Sequence, residues 1–376
     1  MSQTDLQDFG GEHEREGSMR RGWPALLLTL IVLGAAIFAF SPRPLPPFPA
    51  THLPLDRMLL TGLAQDGSRL VAVGEQGHIV IADDPRGPWR EAKIEPDRRA
   101  TLSQVAFVGS GVALAVGQND WILRSEDRGA SWKEVHFDGS DQATTLLGLA
   151  GPFDGKLFVF GAFGTFLTST DQGKTWTQAP LSITVPPPTA AEAAAAAAAA
   201  DANPFADPGA AAAPSGSDLG THHLYAMVRA ANGNLILVGE RGLLLRSVDS
   251  GKTWKPLPSI YKGSFFGALV LPSNRLLVFG MRGHAFYSTN NGDSWQASVL
   301  PNDDSLFGGA VTANGDVLLV DDSNTVLLST DGGAHFNKIS QGKRRSLAAI
   351  LPEANGQMLT AGDGGMRLMS LNAGQK

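Results

Sequence analysis

An eight-residue phrase returns five times along this chain of 376 residues. Its general form is Ser-x-Asp-x-Gly-x-(Ser/Thr)-Trp, and we call each copy an Asp box. The copies occupy residues 125–132, 169–176, 247–254, 288–295 and 329–336. A phrase that returns at a regular spacing indicates a fold built from similar small units that stack to bury a shared core. The repeat therefore constrains the fold more than any single residue does.

A second motif fixes the number of units. An apolar residue followed by Gly lies upstream of each Asp box and persists where the box is absent. The units have this motif at Gly74, Gly117, Gly161, Gly239, Gly280 and Gly362, and in the sixth unit Asp321 replaces the glycine. Successive intervals are 43, 44, 78, 41, 41 and 41 residues, so one interval contains an insertion. Because this period is typical of propeller blades, we predict an all-β, seven-bladed β-propeller of four-stranded antiparallel blades over residues 45–370.

The Asp box suits a tight turn between two strands. Its Asp accepts hydrogen bonds from backbone N–H groups just ahead, its Gly takes a positive φ, and its Trp anchors the next strand. The predicted structural positions are Asp127, Trp132, Asp171, Trp176, Asp249, Trp254, Asn290, Trp295 and Asp331. Asn290 replaces Asp in the fourth copy, and Phe336 replaces Trp in the fifth. No copy has the clustered carboxylates of a calcium loop, so we predict a structural role and no metal.

Crowding and closure of the ring are also readable from the repeats. A small residue recurs near the start of each inner strand, as expected where strands approach a common axis. These positions are Gly62, Gly148, Ala226, Gly267, Gly308 and Ala349.

The last unit ends after its third strand, at Met366–Ser370, without an outer strand. We predict that residues 45–55 supply that strand and close the circle.

An uncharged apolar stretch, Pro24–Phe40, follows Arg20 and Arg21 near the N-terminus. Its 17 residues are at the short end for a membrane span, and the preceding arginines favour a cytoplasmic N-terminus. We therefore predict a cytoplasmic tail over residues 1–22 and a transmembrane signal-anchor over residues 23–41. The propeller would lie in the periplasm, held by a single pass through a bacterial inner membrane. A cleaved signal peptide is the alternative.

The long interval between the third and fourth units contains residues 181–220, rich in Ala and Pro. We predict a flexible insertion there, serving as a neutral spacer or as a tether for a partner.

The net charge of −6 gives no support to nucleic-acid binding. The absence of Cys excludes disulfides and thiolate chemistry, and no motif calls for a cofactor.

The Asp boxes and the phrases Val73–Gly77 and Val238–Gly242 resemble the photosystem II stability and assembly factor family of Asp-box (BNR) repeat proteins. The resemblance covers roughly residues 53–370. It implies a propeller beyond a membrane that holds newly made membrane subunits and catalyses nothing. The implied partners are membrane protein subunits or a membrane protein complex.

Asp boxes also occur in sialidases, so a sialidase-like glycoside hydrolase or glycan-binding propeller is the alternative. That chemistry needs a Tyr nucleophile with an assisting Glu, an acidic proton donor and three arginines on the substrate carboxylate. The candidate residues are Tyr225, Tyr261, Glu240, Arg241 and Arg282, whereas Tyr287 lies beside its Asp box. The opening arginine phrase of a sialidase is missing, so we predict no catalytic residue.

Topology locates the expected binding face. In a propeller, the turns between second and third strands share one side with the linkers from blade to blade, and the Asp boxes lie opposite. The predicted partner-binding residues on the first side are Arg98, Arg99, Arg241, Tyr261, Lys262, Arg282, Arg344 and Arg345. Basic groups among aromatics suit a partner with carboxylate groups, although ordinary solvated loops would also contain them. Adjacent His222 and His223 point opposite ways in an extended segment, which disfavours a metal site.

Overall fold

The computed structural model describes residues 19–41, 55–184, 222–343, 345–353 and 356–370, in two compact units. In the first unit, helix α1 extends over Met19–Phe40. Its segment Gly22–Phe40 has 19 residues and a mean hydropathy of 2.3. At about 1.5 Å per residue it is about 28 Å long, close to the thickness of a bilayer core. Length and composition fit a membrane span or the apolar part of a signal sequence.

The second unit contains 28 described strands. The first three sheets contain β1 Leu60–Asp66, β2 Arg69–Gly74, β3 Ile79–Ala82 and β4 Arg90–Glu91; β5 Lys93–Glu95, β6 Leu102–Gly109, β7 Val112–Gly117, β8 Ile122–Ser125 and β9 Ser131–His136; and β10 Leu146–Phe153, β11 Lys156–Gly161, β12 Phe166–Ser169 and β13 Thr177–Gln178. The last four contain β14 Leu224–Arg229, β15 Leu235–Gly239, β16 Leu244–Ser247 and β17 Lys255–Pro256; β18 Phe265–Leu271, β19 Arg275–Gly280, β20 Ala285–Ser288 and β21 Gln296–Ala297; β22 Leu306–Val311, β23 Val317–Asp321, β24 Thr325–Ser329 and β25 Asn337–Gln341; and β26 Leu347–Pro352, β27 Gln357–Gly362 and β28 Gly365–Ser370.

These strands confirm the predicted seven-bladed propeller. Neighbours in sequence pair antiparallel within each of the seven sheets, so each sheet is one blade. The second blade gains a fifth strand, because β5 lies in the linker from blade 1 and pairs parallel with β9. Shorter parallel bridges join Ile183 to Trp254 and Val299 to His335 in the same manner. The linkers therefore tie each of these blades to the next, which the repeat pattern did not predict.

The second strand of each blade is buried between its neighbours. In β2, β11 and β19 every residue after the first is buried, which explains their nearly continuous apolar sequences. The Asp-box aromatics join the same layers: Trp132 packs in one cluster with Val71 of blade 1, and Trp254 with Phe158 of blade 3. Each such anchor thus buries apolar surface against the preceding blade.

The Asp boxes have the predicted tight-turn geometry. In the third blade, the Ser169 hydroxyl donates to an Asp171 oxygen at 2.7 Å and accepts the Gly173 N–H at 2.9 Å. Asp171 also accepts from the Thr175 N–H at 3.0 Å and the Thr175 hydroxyl at 2.6 Å. Gln172 and Gly173 both have positive φ, 63° and 78°. We predicted a positive φ only for the glycine; the turn needs two in succession, as in type I′ hairpins.

The boxes also fasten one blade to the next. A Cβ atom on Gly251 would lie 2.7 Å from the Phe158 ring of the preceding blade, so only glycine fits this contact. Cationic side chains of the preceding blade donate to box carbonyls. These bonds are Arg124 to Gln172 at 2.9 Å, Lys156 to Ser250 at 3.3 Å, Arg246 to Asn291 at 3.2 Å and Arg275 to Asp331 at 2.9 Å. The boxes are therefore contact points between blades as well as turns.

Every inner strand has a bulge at the same place, between its first and third residues. The small residues predicted near the axis directly follow the bulge. A Cβ atom on Gly148 would collide with the Phe160 ring of its own blade, and one on Gly308 would lie 2.5 Å from the Ala348 carbonyl of the next. Contacts within the blade and with the next blade thus leave room only for a small residue at these positions.

The first and last blades meet through a shared core. Met58 and Leu60 of the first blade cluster with Ala361 of the last, and Trp89 packs against this cluster. Trp89 ends a degenerate Asp box, Ala82–Trp89, which differs from the repeated phrase because it lacks Ser and has Gly one place late. The Leu55 carbonyl accepts the Met366 N–H at 3.0 Å.

The last blade has three strands among the residues that the structure describes. Residues 45–54 of the proposed closing strand lie outside them, so pairing of that segment with β28 stays a prediction. Most of the predicted insertion also lies outside. Its first residues do not form a loose loop: Leu181 and Ile183 pack against the core that contains Trp254.

Deletion of residues 45–54 from the full chain should lower the melting temperature. The third strand of the last blade would lose its partner, and we expect a decrease of about 5 °C or more. Deletion of the equally long segment 191–200 is the control and should leave the melting temperature unchanged. Equal melting temperatures for the two deletion variants would contradict closure by this segment.

Asp249→Asn should make stability less dependent on pH. Burial alone would raise the pKa of Asp249, but hydrogen bonds from Thr253 and Ser247 outweigh burial and lower it from 3.8 to about 2. Because the folded pKa lies below the unfolded value, the carboxylate stabilises the fold above about pH 4, and this contribution is lost as pH falls towards 2.

Urea unfolding at pH 7, 4 and 2.5 measures this effect. The free energy of unfolding of the wild type should exceed that of Asp249→Asn by about 1 kcal/mol at pH 7, and the difference should shrink at pH 2.5. Asn290→Asp is the converse variant and should increase the pH dependence. A difference between wild type and Asp249→Asn that stays constant with pH would exclude the carboxylate's charge as its cause.

Candidate partner-binding surface

The turns between second and third strands lie on one side of the ring together with the linkers between blades. We call this side the turn face. In blade 4 the Glu240 N–H donates to the His223 carbonyl at 2.8 Å, and in blade 5 the Met281 N–H donates to the Ser264 carbonyl at 2.9 Å. Each bond joins a turn to the segment entering its own inner strand. The turns and the linkers therefore lie on the same side of the ring, as the topology of a propeller predicts.

Arg241 and Arg282 occupy the same position in the turns of neighbouring blades. Both have φ 54°, a left-handed conformation that is uncommon outside glycine. Gly242 follows with φ 75°, and the Tyr261 carbonyl fills the place where a Cβ atom would stand. This packing fixes the turn backbone against the linker. The Arg241 side chain is 69% exposed, and Arg282 is exposed as well.

Tyr261 packs between these two turns. Its ring stacks on His284 with centroids 4.1 Å apart, and its hydroxyl donates to the Met281 carbonyl at 3.2 Å. Lys262 is exposed beside it. Arg241, Lys262 and Arg282 are therefore exposed on segments of blades 4 and 5 that pack together through Tyr261, and we call them the cationic group. A Glu240 oxygen lies 3.9 Å from Arg241 Nε.

The other predicted cations lie elsewhere on the ring. Arg98, in the linker into blade 2, donates to both carboxylate oxygens of Glu134 at 2.9 and 2.8 Å and lies over the Phe137 ring. The Arg98 hydrogen bond is the largest influence holding the pKa of Glu134 below its usual value. Arg99 is exposed. The guanidinium of Arg98 is thus already paired inside the chain, whereas Arg99 is available to solvent.

Arg345 lies in the linker into the last blade. It is exposed, and its guanidinium donates to the Asp363 carbonyl at 3.4 Å. Arg344 falls outside the described residues. The structure therefore separates the predicted set into three places: blades 4 and 5, the linker into blade 2, and the linker into blade 7.

Two candidates of the sialidase-like alternative, Glu240 and Tyr225, have structural surroundings. A Glu240 oxygen accepts the His223 N–H at 3.2 Å, and the equivalent Glu75 accepts the Leu59 N–H at 3.1 Å. Glu240 thus repeats a contact that blade 1 also makes. Burial, with a smaller contribution from Glu240, raises the pKa of Tyr225. A neutral Tyr225 and a backbone-bonded Glu240 fit a structural arrangement.

The two adjacent histidines separate, as expected. His222 is only 8% exposed, whereas the His223 ring lies edge-on to Phe163 at 5.0 Å. Across the part of the chain that the structure describes, no group of three or more His, Asp or Glu side chains is placed to hold a metal ion.

Sequence reasoning missed an array of rings on the turn face. Phe163, His223, Tyr225, Phe266 and Phe307 follow one another through blades 3 to 6, and we call them the aromatic crescent. Successive centroids are 5.0, 6.3, 5.2 and 5.2 Å apart. Alignment of the inner strands on their first apolar residue would have found three members, because Tyr225, Phe266 and Phe307 each stand second.

Comparison with known proteins gives a family match and several similar folds. The family model "Photosynthesis system II assembly factor YCF48" matches residues 81–210. "Photosystem II assembly lipoprotein Ycf48" of Synechococcus sp. (strain CC9902) is 29% identical over 100 residues, which is 26% of this chain. The match spans only 29% of that relative's length.

Two solved structures share the architecture at low sequence identity. "YCF48 bound to D1 peptide" has 16% identity and a TM-score of 0.61, covering 87% of this chain and 98% of that one. Virginiamycin B lyase from Staphylococcus aureus has 14% identity and a TM-score of 0.60, covering 83% and 95%. At these identities the likeness shows the fold alone. Repeats, blades and matches together confirm the predicted resemblance: this chain is a seven-bladed Asp-box repeat propeller similar to the photosystem II assembly factors.

Proposed function

We propose that this protein is a membrane-anchored, extracytoplasmic scaffold that binds a membrane protein subunit and assists the assembly or stability of a membrane complex. The turn face is the binding surface, and the reaction it promotes is association without covalent chemistry. The proposal is supported by the assembly-factor family match over residues 81–210. The solved structure "YCF48 bound to D1 peptide" gives a precedent for peptide binding by this fold.

Anchoring is supported by helix α1. The segment Gly22–Phe40 has no Asp, Glu, Lys or Arg, and its apolar side chains are exposed rather than packed into a core. Such a surface is stable in lipid and costly in water. With Arg20 and Arg21 on the N-terminal side, the positive-inside rule supports a propeller in the periplasm, anchored in a bacterial inner membrane.

The observation that carries the binding role is the cationic group of Arg241, Lys262 and Arg282. Both arginines stand on turns with fixed backbones, so little conformational freedom of the main chain is lost when they bind a partner. Guanidinium groups pair bidentately with carboxylates. A partner segment carrying acidic side chains or a free C-terminal carboxylate therefore fits this surface.

A non-catalytic role is supported by the contacts of the candidate acid–base residues. Glu240 is bonded to the backbone of His223, and the Tyr261 hydroxyl to the carbonyl of Met281. The propeller of virginiamycin B lyase shows that a similar fold can carry an enzyme, so architecture does not decide this point. The side-chain contacts favour a scaffold.

The anchor should remain on the mature protein. Mass spectrometry of protein purified from membranes should find peptides from residues 1–22, and high salt should fail to release the protein from those membranes. Removal of residues 1–41 should make it soluble. A mature N-terminus beyond residue 41 would contradict anchoring by α1.

Charge reversal on the turn face should abolish partner capture. A tagged full chain, purified from gently solubilised membranes, should retain a membrane protein that Arg241→Glu/Arg282→Glu fails to retain. Reversal of Arg344 and Arg345 tests whether the linker into blade 7 also contributes. Salt should weaken the wild-type complex because exposed charges are screened.

Lys174→Glu/Lys252→Glu is the matched control, because both lysines are exposed and lie in Asp boxes on the opposite side. This variant should capture the same partner as the wild type. Equal capture by both double variants would contradict recognition by the turn face. Retention of soluble sugars instead of a membrane protein would favour the glycan-binding alternative.

A further inference from the structure

The aromatic crescent has a regular origin in the fold. Tyr225, Phe266 and Phe307 are the second residues of β14, β18 and β22, where the register shifts between the first and third residues. The shift leaves each of them without a partner in its own sheet. Inner strands surround the axis of a propeller, so their rings meet at the mouth of the central channel.

The equivalent positions of the other blades are not aromatic. They are Thr61, Ser103, Leu147 and Ala348. Thr61 uses its hydroxyl to donate to the Leu102 carbonyl at 2.6 Å. The mouth is therefore apolar and aromatic on the side of blades 4 to 6, and small or polar on the side of blades 7, 1 and 2.

The crescent exposes apolar surface that the core does not need. Phe307 is 38% exposed and Phe163 is 60% exposed, while Tyr225 and Phe266 are half-buried. Phe163 has φ 52°, a conformation that a bulky residue rarely adopts. The equivalent turn residues are Gln76, Arg241 and Arg282. The conformation thus belongs to the turn, and what distinguishes blade 3 is an exposed ring where the other turns have polar side chains.

The crescent adjoins the cationic group through shared backbone contacts. The turn of Arg241 is bonded at Glu240 to His223, a member of the crescent. The turn of Arg282 is bonded at Met281 to Ser264, two residues before Phe266. The crescent and the cationic group thus lie on hydrogen-bonded segments of the same two blades.

We propose that the crescent binds a large apolar side chain of an extended peptide segment whose neighbouring carboxylate pairs with Arg241 and Arg282. This inference rests on the proposed function and names the partner's chemistry: an acidic peptide with a Phe or Leu beside its carboxylate. Tyr225 and Phe266 form the floor of the apolar site, and Phe307 and Phe163 flank it.

Ring geometry favours a peptide over a sugar. Three of the four successive ring pairs are nearly perpendicular, with interplanar angles of 85°, 82° and 87°. Alternating ring edges and ring faces can surround an apolar side chain. They offer less of the flat aromatic surface on which a sugar ring stacks. The cations beside it favour an anionic ligand: Arg282 is exposed, and Arg241 lies 3.9 Å from a Glu240 oxygen while its side chain remains 69% exposed.

Fluorescence anisotropy with the full-length protein in detergent tests the proposal. The probes are four labelled decapeptides that contain Phe or Ser at the third residue from the C-terminus and end in a free carboxylate or an amide. The wild type should bind the Phe peptide acid at least tenfold more tightly than the Ser peptide acid, because burial of a Phe side chain contributes that much or more.

Variants separate the two halves of the site. Phe163→Ala/Phe307→Ala should reduce the Phe-over-Ser preference to about twofold or less while the preference for the free carboxylate persists. Arg241→Glu/Arg282→Glu should lose the carboxylate preference and keep the preference for Phe. Phe307→Tyr, which keeps a ring, should restore most of the preference lost in Phe307→Ala.

The control is Val248→Ala, which removes an exposed apolar side chain from the Asp-box side. It should bind all four peptides as the wild type does, and circular dichroism should show unchanged melting for each variant. Carboxylate-dependent binding without a Phe preference would contradict the proposed role of the crescent and leave the proposed role of the cationic group intact. Absence of binding to every peptide would overturn both proposals. Binding of a neutral oligosaccharide that is lost in Phe163→Ala/Phe307→Ala would assign the crescent to glycans instead.

Discussion

Contact between the faces of neighbouring blades is the constraint on which this structure depends. A four-stranded sheet with a fully apolar second strand cannot remain exposed on either face, so each blade requires two neighbours. The Asp box meets that requirement at the outer part of the blade. Its glycine fits against the preceding sheet, its Trp or Phe fills the layer between the sheets, and its carbonyls accept a cation from the preceding blade.

The same packing leaves the side chains of the turn face free to vary. Interactions that hold the ring together are concentrated in the layers between blades and at the Asp boxes. The turns on the opposite side are fixed by backbone contacts with the linkers, so their side chains can vary from blade to blade. The turn residue with positive φ is Gln in one blade and Arg or Phe in others, and the turn keeps the same backbone conformation. A symmetrical fold thereby presents an asymmetrical surface.

The sequence predicted those parts of the structure that depend on neighbours along the chain. Asp171 and Gly173 act within one turn, so their spacing alone predicted the hairpin, and repetition of the hairpin predicted the ring. Contacts between different blades were harder to predict. Nothing near Arg124 in sequence indicates a bond to the Gln172 carbonyl, and nothing near Arg98 indicates its pair with Glu134. The aromatic crescent could not be predicted in the same way, because Tyr225, Phe266 and Phe307 are 41 residues apart in sequence and meet only after the blades pack together.

The contacts between an Asp box and its neighbouring blade always run in one direction along the chain. Each Asp box contacts the blade that precedes it in sequence, and the degenerate box ending at Trp89 does the same for the first blade, whose predecessor in the ring is the last. During synthesis, a newly emerged blade therefore brings the device that secures the blade already made. Assembly of the ring can proceed one interface at a time in the order of translation, and only the contact between first and last blades has to wait for the completed chain.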